Sequence, residues 1–272
     1  MPESDLANIE LRSYFVRERN CLLVRGQFTD LYMDYYLHLM QHGIKHEQHL
    51  DTMLKEGLAA MALHQASRPH DERCAWTIHM QDPLLNIFVT GGGYPQSRVT
   101  GRLFMDDIKD MGKSIIIAQT TRSNVPPRQS MVEFQGLDVL AAVEHFYTQS
   151  EQRPTRIFRL DDEEFVQISA EPDADTAWLK NLSQEDILKL DQVEVLSLLE
   201  TRNFMFDCGC TVERMFPMLS RLTDEDVDYI FEDGPAGITC PRCGAKYQVP
   251  REIFDTWMAA QNQNQDQDQD KA

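Results

Sequence analysis

Residues 206–210 read FDCGC, and residues 240–244 read CPRCG. Four of the six cysteines in this 272-residue chain therefore form two tight pairs, C-x-C and C-x-x-C, with 29 residues between them. Thiolates supplied as two close pairs suit a tetrahedral metal ion. One pair brings two sulfurs together in a short turn, and the distant pair closes the coordination sphere. Pro241 inside the second pair and Gly244 after it fit a knuckle turn. The pattern predicts one zinc ion per chain, held by Cys208, Cys210, Cys240 and Cys243. A thioredoxin-like pair at Cys240 and Cys243 is the competing reading. It requires C-x-x-C to open a helix, whose N-terminus lowers a thiol pKa. Here AKYQVP follows as strand or turn, and the first pair would have no role. The spacing is compatible both with a purely structural zinc clip and with a redox-active zinc centre.

Working outward, the cysteines define a module over 204–257. The chain then runs into QNQNQDQDQDKA, low in complexity and polar up to the final Ala272, so 258–272 reads as a disordered solvated tail. Upstream, EPDADTAW (171–178) marks a change in composition. Ser183 and Asp186 form an S-x-x-D capping box, and Leu182 and Ile187 are spaced as a hydrophobic staple. Residues 173–203 read as an acidic, partly apolar helical linker.

The first 172 residues read as an α+β domain. Residues 12–28 look strand-like, with a polar bend between YFV and CLLVRGQF. Thr29 or Asp30 could cap a helix that ends at Gly43, a good residue for a left-handed C-terminal turn. A second helix over about 46–67 carries Leu50, Met53, Leu54, Leu58, Met61 and Leu63 near a 3.6-residue period. Short strands follow at AWTIHM, LNIFV, SRVTGRLF, SIIIAQ and SMVEFQG, divided by Gly91-Gly92-Gly93 and Pro126-Pro127. A helix at 137–149 and a hairpin in TRIFRLDDEEFVQIS complete a mixed sheet with helices.

Composition narrows the function classes. The chain carries 44 acidic against 26 basic residues, a net charge of −18. Such a surface repels phosphate backbones and anionic lipid. The cysteine module itself holds ten acidic and five basic residues, which argues against a zinc-ribbon nucleic-acid binder. No apolar run is long enough to span a bilayer, and the charged first twenty residues lack a signal-peptide core. The expectation is a cytoplasmic protein with no membrane partner, where close-spaced cysteines bind metal or sense redox change.

The module resembles the zinc domain of the heat-shock protein 33 family of redox-regulated chaperones. The likeness extends upstream to LVRGQF (23–28), EGLAAMAL (56–63) and above all FYTQSEQRPT (146–155), which is similar to the family's Tyr-Phe-x-x-Ser-Glu-Gln-x-Pro-Thr signature. The resemblance implies an α/β N-terminal domain, a helical linker and a C-terminal zinc domain. It implies that Cys208, Cys210, Cys240 and Cys243 hold zinc while reduced, and that oxidation pairs Cys208 with Cys210 and Cys240 with Cys243. Zinc then leaves, the C-terminal region unfolds, and the protein holds unfolding clients without ATP, typically as a homodimer. The apolar residues Leu188, Val195, Leu196 and Leu199 are expected to become available in that state. The chain departs from the family pattern at Thr211, where Ser is usual, and at VTGRLF (99–104), which only approximates an Arg-Gly-Tyr strand.

Other features carry no function. His38, His42, His46 and His49 lie near an expected helix end, lack an H-E-x-x-H pattern and read as solvated. GGGY at 91–94 lacks the spacing of a phosphate-binding loop and reads as a hairpin turn. Cys21 and Cys74 read as buried bystanders. The thirteen methionines read mostly as core filler, although thioethers also suit a promiscuous surface. No G-x-S-x-G, Walker A or spaced acid–base pair is present, so the chain is not expected to be an enzyme.

Overall fold

Alternation with period two builds the main sheet. In β4 (Leu85–Gly92), Leu85, Ile87, Val89 and Gly91 are buried and the residues between them half-buried. The other strands of this sheet are β1 (Ile9–Val16), β2 (Cys21–Gln27), β3 (Glu72–Met80), β5 (Ser97–Phe104) and β6 (Ile115–Arg122). They are joined by β7 (Val125–Glu133), β8 (Thr155–Arg159), β9 (Glu164–Ala170) and β10 (Leu196–Phe206). The strand order is β7-β6-β3-β4-β5-β10-β1-β2-β9-β8. Every pairing is antiparallel except β10 with β5, which is parallel and joins Phe204–Phe206 to Ser97–Val99. Residues 8–93, 97–219 and 222–269 of this computed structural model are described. The chain divides into two compact units, Met1–Cys208 and Gly209–Ala272.

In the first unit, α1 (Thr29–Gln41), α2 (Gln48–Ala66) and α3 (Val139–Gln149) bury their apolar faces in one large core with the sheet. A second core forms on the opposite side of β2, β8 and β9. Adjacent residues such as Ile157 and Phe158, or Phe165 and Val166, belong to different cores, so both faces of this part of the sheet are covered. The second core is closed by α4 (Thr176–Asn181), α5 (Gln184–Leu188) and α6 (Leu190–Val193) through Leu179, Leu182, Ile187 and Leu190. The Ser183–Asp186 capping box is present, and Leu182 and Ile187 are both buried there. Arg19 ties these short helices to the β1–β2 turn through Asp175 at 2.9 Å and Glu194 at 3.0 Å.

Several expectations are corrected. The stretch 173–203 is not helical throughout: from Leu196 it is strand β10, paired with β1 along its length and with β5 at its end. Pro126 and Pro127 lie inside β7, a sheet-edge strand, at the irregular step in its register with β6 between the Thr120–Arg128 and Arg122–Val125 pairs. Gly91 and Gly92 belong to β4, paired with Val99 and Arg98 of β5, rather than to a turn, and glycine is required at 91 because a Cβ there would stand 2.9 Å from Gln65 Cγ and 3.1 Å from Met61 Cγ. Tyr94 lies outside the described residues. Phe28, not Thr29 or Asp30, occupies the N-cap of α1, since Thr29 Oγ1 donates to Glu163 at 2.6 Å. Gly43 does take the left-handed conformation after that helix, at φ +60°. His38 is half-buried with its ring 5.4 Å from that of Phe206, and only His49 of the four histidines is exposed.

In the second unit, α7 (Val212–Leu219), α8 (Asp224–Ile230), the hairpin β11 (Ala236–Thr239) and β12 (Lys246–Val249), and α9 (Arg251–Gln269) enclose a small core. Phe216, Phe231, Ala236, Val249 and Phe254 form it. The backbone of α9 continues as helix through Gln269, where the composition predicts disorder from 258; residues 270–272 lie outside the described residues. Glutamine is a fair helix former, and α9 enters this polar stretch already nucleated by Phe254 and Trp257. No described helix is long and apolar enough to cross a membrane.

Candidate metal centre

Two local turns present the four thiols. The first follows β10. Asp207 N–H donates to the Val99 carbonyl at 3.1 Å, and its carboxylate pairs with Arg98 at 2.6 Å, which fixes the backbone entering Cys208. Gly209 then turns at φ +61°, a conformation in which a side chain at this position would be strained. Arg214, on the first turn of α7, donates to the Gly209 carbonyl, and Arg214 N–H reaches Thr211 Oγ1 at 3.4 Å. Thr211 thus supplies the hydroxyl that a serine would supply at the same place.

The second turn is the tip of the β11–β12 hairpin. Thr239 pairs with Lys246, leaving Cys240–Ala245 as the loop. Cys240 N–H donates to the Ala245 carbonyl at 2.8 Å, and Gly244 N–H donates to the Cys240 carbonyl at 2.9 Å. Gly244 has φ +76°, which explains the glycine after the C-x-x-C. Cys240 and Cys243 are buried, whereas Cys208 and Cys210 are half-buried.

These turns bring together all four cysteines singled out by their spacing. Their Sγ atoms lie within 4.8 Å of one another, and Cys210 and Cys243 are 3.5 Å apart. Such a cluster could hold a metal ion. No disulfide joins any of the six cysteines. Cys21 and Cys74 are both fully buried in the first unit, where burial pushes the Cys21 thiol up to about 11 and raises that of Cys74. Thiols in that condition are poor nucleophiles.

Tyr247 is the site residue that spacing rules do not reveal. It lies on β12 opposite Ile238, and its hydroxyl donates to the Cys210 carbonyl at 3.1 Å and stands 3.2 Å from Cys210 Sγ. Burial, followed by the contact with Cys210, pushes its phenol upward. The only trace in the sequence is an aromatic residue three positions after the knuckle glycine.

The segment FYTQSEQRPT lies far from the cysteines in sequence and has a structural explanation. Tyr147 OH is 2.7 Å from His64 Nδ1 and accepts from Gln167 Nε2 at 3.0 Å, all in the buried core. Glu151 joins Arg68 at 3.1 Å and Arg128 at 3.0 Å. Arg153 Nε donates to the Ala170 carbonyl at 2.9 Å, and Thr155 Oγ1 to Ser169 Oγ at 3.0 Å. The motif therefore stitches α2, α3, β8 and β9 together through polar groups.

The sequence profile of the family described as Hsp33 protein matches residues 159–250. The chain is 26% identical over 256 residues to the 33 kDa chaperonin of Pectobacterium carotovorum subsp. carotovorum, covering 82% of this chain and 88% of that one. It is 25% identical over 273 residues to the 33 kDa chaperonin of Proteus mirabilis, covering 86% and 91%. In fold it is similar to the crystal structure of the 33 kDa chaperonin (heat shock protein 33 homolog) of Thermotoga maritima. The TM-score is 0.69 at 12% identity, over 94% of this chain and 99% of that one.

Proposed function

From the match to the Hsp33 family model over residues 159–250 and to the 33 kDa chaperonins, we propose that the chain is a redox-regulated, ATP-independent chaperone of the heat-shock protein 33 family. It holds unfolding proteins under oxidative stress, acts in the cytoplasm and performs no catalysis. In the reduced state one zinc ion is held by Cys208, Cys210, Cys240 and Cys243. The donor set fits that ion. Tetrahedral Zn–S bonds of about 2.3 Å place sulfurs about 3.8 Å apart, close to the 3.5 Å between Cys210 and Cys243 and inside the 4.8 Å limit for the whole set. Bound there, zinc would keep the sulfurs as thiolates at neutral pH.

The rest follows from the residues. Thiolates are the species that peroxide oxidises. Cys208 with Cys210, and Cys240 with Cys243, each give up two electrons to form a disulfide, while one peroxide per pair is reduced to two hydroxide ions. Disulfide sulfurs are poor ligands, so the two turns lose the charge that tied them together. The second unit, with its small core, then unfolds, and the oxidised chain pairs as a homodimer. The observation that carries this reading is the convergence of four thiols from two pairs 29 residues apart.

A second reading has an observation in its favour. Leu188, Val195 and Leu199 are already 63%, 53% and 57% exposed, and Leu196 is half-buried, so this apolar surface does not await oxidation. Apolar side chains already open to solvent can take part in binding, and their exposure favours a constitutive holdase with a structural zinc. Light scattering of a heat-denatured client separates the two. Suppression by peroxide-treated protein alone supports the switch. Equal suppression by the reduced, zinc-loaded form supports the constitutive holdase, and suppression by neither form overturns both.

A further inference from the structure

The main sheet is open, so it has two edge strands, β7 and β8, and they differ. The β8 edge is closed. Ile157 N–H, on the side of β8 away from β9, donates to the Glu144 carboxylate at 2.6 Å. Arg156 on the same strand donates to the Lys180 and Leu182 carbonyls, and α3 and α4 both pack against β8. The β7 edge is open. Phe134 N–H donates to the Ser114 carbonyl at 3.1 Å, and the same offset pairs Val132 with Ile116, Ser130 with Ala118 and Arg128 with Thr120. Bonded and non-bonded pairs alternate in an antiparallel ladder. The N–H and C=O groups of Gln129, Met131 and Glu133 therefore point away from β6. Among the described residues, no backbone bond outside the strand ladders and no side chain reaches these groups.

We infer that residues 128–133 of β7 are a strand-addition site, which takes an extended segment of an unfolding polypeptide with apolar residues at alternate positions. The source of that segment rests on the chaperone reading. Natural edges are guarded by lysine, proline, a bulge or a covering element. Pro126, Pro127 and the register shift guard only the start of β7, and 128–133 contains neither lysine nor proline. Donors and acceptors at strand spacing are satisfied only by extended backbone. Strands of folded proteins already have partners, so free extended backbone belongs to unfolding chains. Main-chain bonds of this kind supply affinity whatever the sequence, and side-chain contacts add preference. On one face, Met131 is 53% exposed beside the half-buried Ile117, so an apolar residue opposite Met131 gains contact. On the other face, where Val132 enters the large core, a groove of about 710 Å³ opens between Phe134 and Gly136 and the Ala141 and His145 of α3. It can receive the alternate side chains.

The test uses full-length protein, reduced and peroxide-treated, with its Met131→Pro and Met131→Ala variants. Proline at 131 removes an outward N–H and no bond to β6; alanine removes the side chain and keeps the N–H. The probe is a fluorescein-labelled peptide alternating valine and threonine between terminal lysines, followed by anisotropy. Two further peptides of the same charge are N-methylated at one or the other set of alternate residues. Binding is expected in both redox forms, about tenfold weaker for Met131→Pro and within about twofold of wild type for Met131→Ala. One methylated peptide should lose about tenfold and the other should not. If Met131→Pro does not fold, the methylated peptides decide the matter on wild type. The inference is overturned by no binding, by binding only after oxidation, by equal losses in the two variants, or by two methylated peptides as tight as the parent. A Met131→Pro effect confined to sedimentation would assign the edge to a second copy and overturn it too. Light scattering of a heat-denatured client separates this from the chaperone reading. Wild type that suppresses aggregation no better than Met131→Pro overturns only the β7 site. Wild type that suppresses none in either redox form overturns the chaperone reading, and peptide binding at β7 would stand without it.

Discussion

Removing the metal should unfold the second unit and leave the first intact. The second unit's core contains four large buried side chains, Phe216, Phe231, Val249 and Phe254, with the smaller Ala236. At about 1.5–3 kcal/mol for each large side chain, their burial contributes about 6–12 kcal/mol. Structural zinc contributes about 10–16 kcal/mol in small peptides at neutral pH. A zinc ion at the cysteine cluster would thus be worth as much as the whole apolar core of this unit, and the two-stranded β11–β12 sheet is not stable by itself. The assay is amide exchange on the full-length protein before and after chelation, with metal content measured on the same samples. The amides of Cys240 and Gly244, bonded at 2.8 and 2.9 Å within the loop, should lose protection together with β11 and β12. Those of β2, β3 and β4, inside the large core, should keep theirs. Cys240→Ser should reproduce the loss, whereas Cys21→Ser with Cys74→Ser should retain the metal. Protection of residues 236–249 that persists in metal-depleted protein would refute the reasoning.

Three further outcomes test the first unit. His64 is fully buried, and desolvation, with lesser contributions from Arg68, Arg153 and Arg128, holds its pKa well below the ordinary value. Below about pH 6.5 the unfolded chain takes up a proton that the native state refuses, so stability should fall by about 1.4 kcal/mol per pH unit as the pH drops. Urea unfolding should show His64→Gln with a shallower acid slope than wild type. Glu151→Gln removes the carboxylate that pairs with the poorly exposed Arg68, and should cost about 1–3 kcal/mol in the same assay; an unchanged midpoint would mean that the motif is not a stabilising stitch. Gly91→Ala drives a methyl group against Gln65 and Met61 and should cost about 1–3 kcal/mol, whereas a neutral effect would show that α2 can shift to accommodate it.

What the sequence determined by itself was whatever rests on neighbouring residues. The cysteine pairs are local, with a left-handed glycine inside the first (Gly209) and just after the second (Gly244), so the cluster of Cys208, Cys210, Cys240 and Cys243 was legible before any fold was known. The same holds for α2 and α3, with their 3.6-residue apolar period, for the β8–β9 hairpin and for the Ser183–Asp186 capping box. Tertiary structure decided the rest, wherever the deciding partner lies far along the chain. Residues 196–206 become a strand because β1 and β5, some 190 and 100 residues away, offer hydrogen-bonding edges that no local pattern announces. Pro126 and Pro127 are tolerated in β7 because it is an edge whose register with β6 shifts where they stand, a property of the sheet and not of the segment. Leu188, Val195 and Leu199 stay exposed because Leu179, Leu182, Ile187 and Leu190 already fill the second core. Tyr247 meets Cys210 only because the register of β11 and β12 aims it there, and a one-residue slip of that hairpin would turn its side chain to the opposite face.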